Sequence, residues 1–139
     1  MKLCATDAPC PCGQRNAKSQ PLHYGVCCGR YLEADTQAAD AQTLMRSRYS
    51  AFVLERAPYL LATWHASHRP ASIEFDTGVK WLGLEVRSTQ APTADNPDEA
   101  FVEFVARNKP ASGSAVRLHE RSRFVLEAGR WFYVDGDQL

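Results

Sequence analysis

Cys10-Pro11-Cys12-Gly13-Gln14-Arg15-Asn16-Ala17-Lys18-Ser19-Gln20-Pro21-Leu22-His23-Tyr24-Gly25-Val26-Cys27-Cys28-Gly29 carries four of the chain's five cysteines as two tight pairs. Pro and Gly are frequent and large aliphatics scarce from the start of the chain to about residue 35, so this stretch cannot hold itself together by burial alone. Zn²⁺ takes four thiolates at about 2.3 Å without redox chemistry, and a closed shell of four sulfurs leaves no position open for a reaction. A structural zinc held by Cys10, Cys12, Cys27 and Cys28 is therefore expected. Inert buried thiols and a disulfide pair are the competing readings. Thiols that fill a core sit among Leu, Ile and Phe, whereas Pro9, Pro11, Gly13, Gly25 and Gly29 surround these. Glycine lets backbone wrap closely around sulfur, and its amide can donate to a thiolate. Adjacent residues of an extended strand point to opposite sides, so Cys27 and Cys28 must lie in a turn or at a helix start to share one ion. Arg15, Lys18 and Arg30 can offset the charge of such a centre, His23 is the rival ligand, and Cys4 lies outside the cluster.

Outside this stretch the chain has room for one hydrophobic core, since 139 residues is about one domain. Lys and Arg number 16, as do Asp and Glu, which gives no overall field to draw nucleic acid or an anionic membrane surface. The N-terminus has no apolar run of signal length, and no stretch approaches the ~18 apolar residues of a membrane span. The expectation is a cytoplasmic protein, where clustered cysteines are metal ligands more often than disulfides.

From about residue 36 the texture changes. Met45, Tyr49, Phe52 and Val53 form an amphipathic stripe that predicts a helix over about 37–54, capped by Asp35 or Asp40. A second helix opens near Pro58, carries Leu60, Leu61 and Trp64-His65, and has ended by Arg69-Pro70. Strand-like segments follow at Trp81–Gln90, Phe101–Asn108, Val116–Leu126 and Trp131–Asp135, with a hairpin turn at Glu127–Arg130 in which Gly129 supplies positive φ. Helices followed by an antiparallel sheet make the fold class α+β.

Cys10-Pro11-Cys12-Gly13 and Cys27-Cys28-Gly29 resemble the SEC-C motif, a zinc knuckle also found in the bacterial SecA translocation ATPase. Leu44–Phe52, Tyr59–His65, Val102–Ala106 and Leu118–Phe124 are similar to the YchJ family, an uncharacterised bacterial group also labelled UPF0225. These segments in order cover most of the chain. The resemblance implies a SEC-C knuckle over residues 1–35, then an NTF2-like domain over 36–139, a cone of helices on a curved antiparallel sheet. Gln14 departs from the Ser common in the knuckle, and the longer spacing between cysteine pairs implies a loop around Ala17–Pro21.

NTF2-like cones often enclose a cavity, and strand parity nominates its lining. Val116, Leu118, Glu120, Ser122, Phe124 and Leu126 share one strand face, which places Glu120 and Ser122 among apolar neighbours. A carboxylate there calls for a cation, and Arg46 or Arg48 can supply one; an ion pair tying helix to sheet is the expected arrangement. Trp64 and His65 complete the candidate pocket, while Arg117, His119, Arg121 and Arg123 form a basic stripe on the opposite face. Paired carboxylates, a phosphate loop and a nucleophile elbow are all missing. Two functions fit. One is a zinc-containing adaptor that docks a protein partner and forms a homodimer through its sheet; the alternative is an NTF2-like small-molecule binder or enzyme using Glu120 in a cavity.

Overall fold

In the computed structural model, which describes all 139 residues, a 3-10 turn (Tyr24–Val26) and a short helix α1 (Gly29–Leu32) precede helices α2 (Ala41–Val53) and α3 (Ala57–Ala62). Four strands follow: β1 (Lys80–Gln90), β2 (Glu99–Lys109), β3 (Val116–Glu127) and β4 (Arg130–Gln138). Asp40 opens α2, its extended backbone letting the carboxylate accept from the Thr43 N–H at 2.8 Å. The helix starts later than the expected 37: residues 36–39 lie outside it, after Asp35 turns the chain with a left-handed φ of 54°. Pro58 sits in the first turn of α3, where its missing N–H costs no helical bond.

α3 stops at Ala62, short of the expected end. Trp64 and His65 lie beyond it, bound to the free edge of β4: the His65 N–H donates to the Tyr133 carbonyl at 2.7 Å, and the Tyr133 N–H donates to the Thr63 carbonyl at 2.9 Å. An edge strand offers unpaired backbone groups, and satisfying them outweighs one more helical turn.

The sheet is an antiparallel meander in the order β1-β2-β3-β4. Register shifts interrupt β1 against β2 at Trp81/Gly83 and Val86/Ser88, and β3 against β4 at Arg123/Phe124. Each such bulge bends its strand and increases its twist, so the sheet curves around the helices. Ala128 and Gly129 both take positive φ, 51° and 77°, in the two-residue turn joining β3 to β4, the backbone that matches strand twist in a tight hairpin.

One core runs from the cysteine segment into the cone. Cys10, Cys12, Tyr24, Cys27 and Cys28 pack in a single buried cluster with Leu44, Met45 and Tyr49 of α2 and with Ala100, Val102, Ala106 and Phe124 of the sheet. Arg56, 7% exposed, stitches the same junction: it donates to the Lys2 carbonyl from Nε and Nη2 at 3.1 and 2.9 Å and pairs with Glu33 at 2.8 Å. That hydrogen bond from Arg56 is the main reason Glu33 is held below its ordinary 4.5. Arg56→Met is expected to cost about 2 kcal/mol in urea unfolding at pH 7, mainly through the buried guanidinium's bonds, since the exposed Glu33 adds little. A depressed carboxylate stabilises the fold above its unfolded value, so only the small Glu33 part of the cost should disappear as pH falls through its lowered value.

The expected basic stripe on the outer sheet face is only partly paired with acids, since Arg117 stands opposite Arg107. Arg123 reaches Asp135 at 3.0 Å and Glu99 at 3.6 Å, His119 meets Glu103 at 2.7 Å, and the Arg121 guanidinium lies 3.8 Å above the Phe101 ring. No helix is long and apolar enough to cross a membrane.

Candidate metal centre and cavity

Local geometry brings the two cysteine pairs together. The Cys10 N–H donates to the Leu22 carbonyl at 2.9 Å, and the Gly13 N–H returns to the Cys10 carbonyl at 3.0 Å, folding Cys10 and Cys12 into one turn. Gly13 takes φ 75° there, a value costly for other residues. Cys27 ends the 3-10 turn and Cys28 is the N-cap of α1, so the adjacent pair turns at a helix start as one shared ion requires. The intervening residues form a small ordered loop, in which the Asn16 side chain accepts from the Lys18 and Gln20 N–H groups at 2.9 and 3.0 Å.

The four Sγ atoms lie within 4.8 Å of one another, and Cys12 and Cys27 are 3.6 Å apart. A disulfide needs about 2.05 Å, and all five cysteines are free. The edge of a tetrahedron with sulfurs about 2.3 Å from its centre is about 3.8 Å, so the spacing fits a four-thiolate metal site. Without a cation the four thiols cannot all ionise. Cys10 is held down chiefly by the hydrogen bond from Cys12, while Cys28 is pushed up, Cys10 contributing most. Exposed His23 and half-buried Cys4 both lie outside the cluster.

Supporting contacts come from α2, one turn apart. The Ser50 hydroxyl is 3.8 Å from the Cys10 sulfur, and Arg46 Nη1 donates to the Cys12 carbonyl at 3.3 Å. Arg46 therefore belongs to the cysteine cluster and not to the pocket where the sequence placed it. Arg15 and Arg30 spend themselves elsewhere, on the Ser19 carbonyl at 2.7 Å and over the Tyr31 ring at 5.6 Å. Gln14, the departure from the usual Ser, sets its amide 3.5 Å from the Cys27 sulfur.

Inside the cone a cavity of about 190 Å³ is lined by the predicted Glu120, Ser122 and Trp64, together with Arg48, Phe104 and Tyr133. His65 is not among its walls. Its ring stacks edge-on against Phe132 at 5.8 Å and meets Glu127 at 3.3 Å, because the chain has left α3 for the β4 edge. The expected Glu120–arginine ion pair is also absent. Glu120 Oε1 instead accepts from Gln138 Nε2 at 2.9 Å, and Oε2 accepts from the Ser122 hydroxyl and from the Tyr133 hydroxyl at 3.5 Å. Gly136 makes room for that carboxylate, since a Cβ there would stand 2.8 Å from Glu120 Cγ.

Arg48, 5% exposed, is the cavity's cation. Its Nη1 donates to the Leu60 carbonyl at 2.8 Å and the Thr63 hydroxyl at 2.6 Å, and its guanidinium lies 5.0 Å from the Trp64 ring and 4.7 Å from Tyr133. Burial pulls it down to about 10, opposed by Tyr133, Tyr59 and Glu120, so it stays charged at neutral pH. Arg48 sits three residues after Met45 and four before Phe52, on the apolar stripe of α2; that spacing could have separated it from Arg46.

A curved four-stranded sheet over helices, with a buried four-cysteine cluster packed against it, defines an NTF2-like domain bearing a small knuckle whose four thiols could hold a metal ion. Residues 40–136 match the family described as the YchJ middle NTF2-like domain. A UPF0225 protein of a Polaromonas species is 65% identical over 132 residues, 94% of this chain and 93% of that protein. Another, from Polaromonas naphthalenivorans, is 61% identical over 94% of this chain and 98% of its own length. Two solved structures are similar: a SEC-C motif containing protein from Rhodopseudomonas palustris (TM-score 0.76, 29% identity, 95% of this chain and 99% of that one), and one from Psychrobacter arcticus (TM-score 0.75, 30% identity, 94% and 82%). The chain belongs to the UPF0225, or YchJ, family.

Proposed function

We propose that Cys10, Cys12, Cys27 and Cys28 hold one structural Zn²⁺ and that the protein works through its cone cavity as a small-molecule binder. Zinc in this shell fixes the N-terminal segment and performs no reaction, because four thiolates leave no coordination position for a substrate. One observation carries the cavity reading: a charged guanidinium, almost wholly buried, lines a pocket of about 190 Å³ without a carboxylate in salt-bridge contact. A buried cation is costly unless something compensates it. Glu120 is the one carboxylate in the wall and its oxygens already accept hydrogen bonds, which favours binding over acid–base turnover.

Ligand-observed NMR with single-ring fragments tests this reading. Leu118, at the cavity wall and 36% exposed, can be changed to Trp to plug the space; fragments should bind the parent and be lost from Leu118→Trp. An unchanged set of binders in the plugged variant would defeat the proposal. The adaptor reading draws its support from Leu3 and Val26, 85% and 62% exposed on the N-terminal segment. A cytoplasmic protein partner docking there, or a homodimer through the outer sheet face, would be lost on zinc removal in a pull-down or in sedimentation.

A further inference from the structure

We infer that the cavity's ligand is a monocarboxylate built on a single ring, with Arg48 as the anchor for its carboxylate. The inference rests on the cavity reading above and specifies what that site takes.

Arg48 has donors to spare. Nη1 serves Leu60 and Thr63, and no other N–H of the guanidinium has an acceptor in the protein. A guanidinium presents a planar fork of donors that matches a carboxylate's two oxygens, and such charge-assisted pairs are about twice as strong as neutral hydrogen bonds. Trp64 and Tyr133 flank the group, and Arg48 itself lines the pocket. Glu120 does not meet the need, since its oxygens face Gln138, Ser122 and Tyr133. Its negative charge has a second effect: a ligand with two carboxylates would set one of them against it.

Size and lining define the rest of the molecule. A dry protein cavity of about 150 Å³ accepts benzene, so the space of about 190 Å³, in a pocket partly open to solvent, has room for one ring with a small substituent. Tyr49, Phe52, Phe104 and Phe124 supply the walls away from Arg48, surfaces suited to edge and face contacts with an aromatic ring.

Benzoate, its neutral counterpart benzyl alcohol and the dianion phthalate are the probes, titrated into isotope-labelled, zinc-loaded protein. The Trp64 indole N–H, which donates to the Val134 carbonyl at 3.3 Å, is the reporter. Benzoate should shift it and bind at least tenfold tighter than benzyl alcohol or phthalate. Arg48→Met should abolish the preference for benzoate over benzyl alcohol, and Arg48→Lys, which keeps the charge and loses the fork, should retain part of it. If Arg48→Met does not fold, the lysine variant decides. Equal binding of benzoate and benzyl alcohol, or a preference unchanged by either substitution, overturns the carboxylate assignment while leaving the cavity reading standing. If no probe shifts Trp64 at millimolar concentration, the cavity reading falls together with the inference.

Discussion

Removing the proposed zinc, by chelation or by Cys12→Ser, is expected to unfold more than the first 35 residues. Structural zinc contributes roughly 10–16 kcal/mol to the fold of a small knuckle, as much as the roughly 5–15 kcal/mol that holds a whole domain together. A headpiece with its own core would lose that energy alone. Here Cys10, Cys12, Cys27 and Cys28 are 0–5% exposed and share their cluster with Leu44, Met45, Ala100 and Phe124, while Ser50 of α2 faces the Cys10 sulfur. Loss of the ion leaves thiols that cannot ionise together and strips the cover from one side of α2, so the damage reaches the sheet. Elemental analysis should give one zinc per reduced parent chain and none for Cys12→Ser. In amide spectra of the variant, Ala100, Val102 and Phe124 should lose dispersion along with the N-terminal residues. Sharp, native-like signals from those three beside a disordered segment 1–35 would mean that the cone stands without its metal.

How much of this was legible before any coordinates depended on whether the deciding interaction was local. The gathering of four cysteines in one buried cluster was readable because residue type, spacing and neighbouring glycines all lie in one short stretch. So was the meander, since alternation within a strand and the Glu127–Arg130 turn are local signals, and the structure merely lengthens the strands to Glu99–Lys109 and Arg130–Gln138. Contacts between distant elements were hidden. Trp64 and His65 continue a plausible helix until the β4 edge claims their backbone. The stripe Arg117–Arg123 looks uniformly basic until register sets Glu103 opposite Arg121 and Asp135 opposite Arg123, leaving Arg117 against Arg107. Arg46 and Arg48 looked equivalent as partners for Glu120, although two helical positions put them about 200° apart around α2. Whether the cone encloses space is a small difference between the volume of its shell and that of its side chains, and no local pattern encodes it.

Tyr24→Ala should weaken metal binding by two to three orders of magnitude without touching a ligand. Tyr24 is fully buried, and it connects to almost everything that shapes the centre. Its N–H donates to the Ala8 carbonyl at 2.8 Å, its carbonyl accepts from the Cys27 N–H at 3.0 Å, and its hydroxyl donates to Glu33 at 2.8 Å. Gly29 follows the second cysteine pair with so little clearance that a Cβ would meet the Tyr24 ring at 3.1 Å, so ring and glycine fix where α1 begins. Burial and the Glu33 bond both push the phenol's pKa up, keeping it a neutral donor. Replacing a buried aromatic with alanine costs about 3–5 kcal/mol through lost burial and an unfilled void. Because the proposed zinc site is assembled only in the folded segment, that cost appears in the apparent affinity at about 1.4 kcal/mol per tenfold. Competition against a chromophoric chelator measures it directly. Tyr24→Phe keeps the ring and loses one bond to a carboxylate, so it should lose only about tenfold, from about 1.5 kcal/mol. An alanine variant with parental zinc affinity would show that the thiolates are held in place without the packing beneath them.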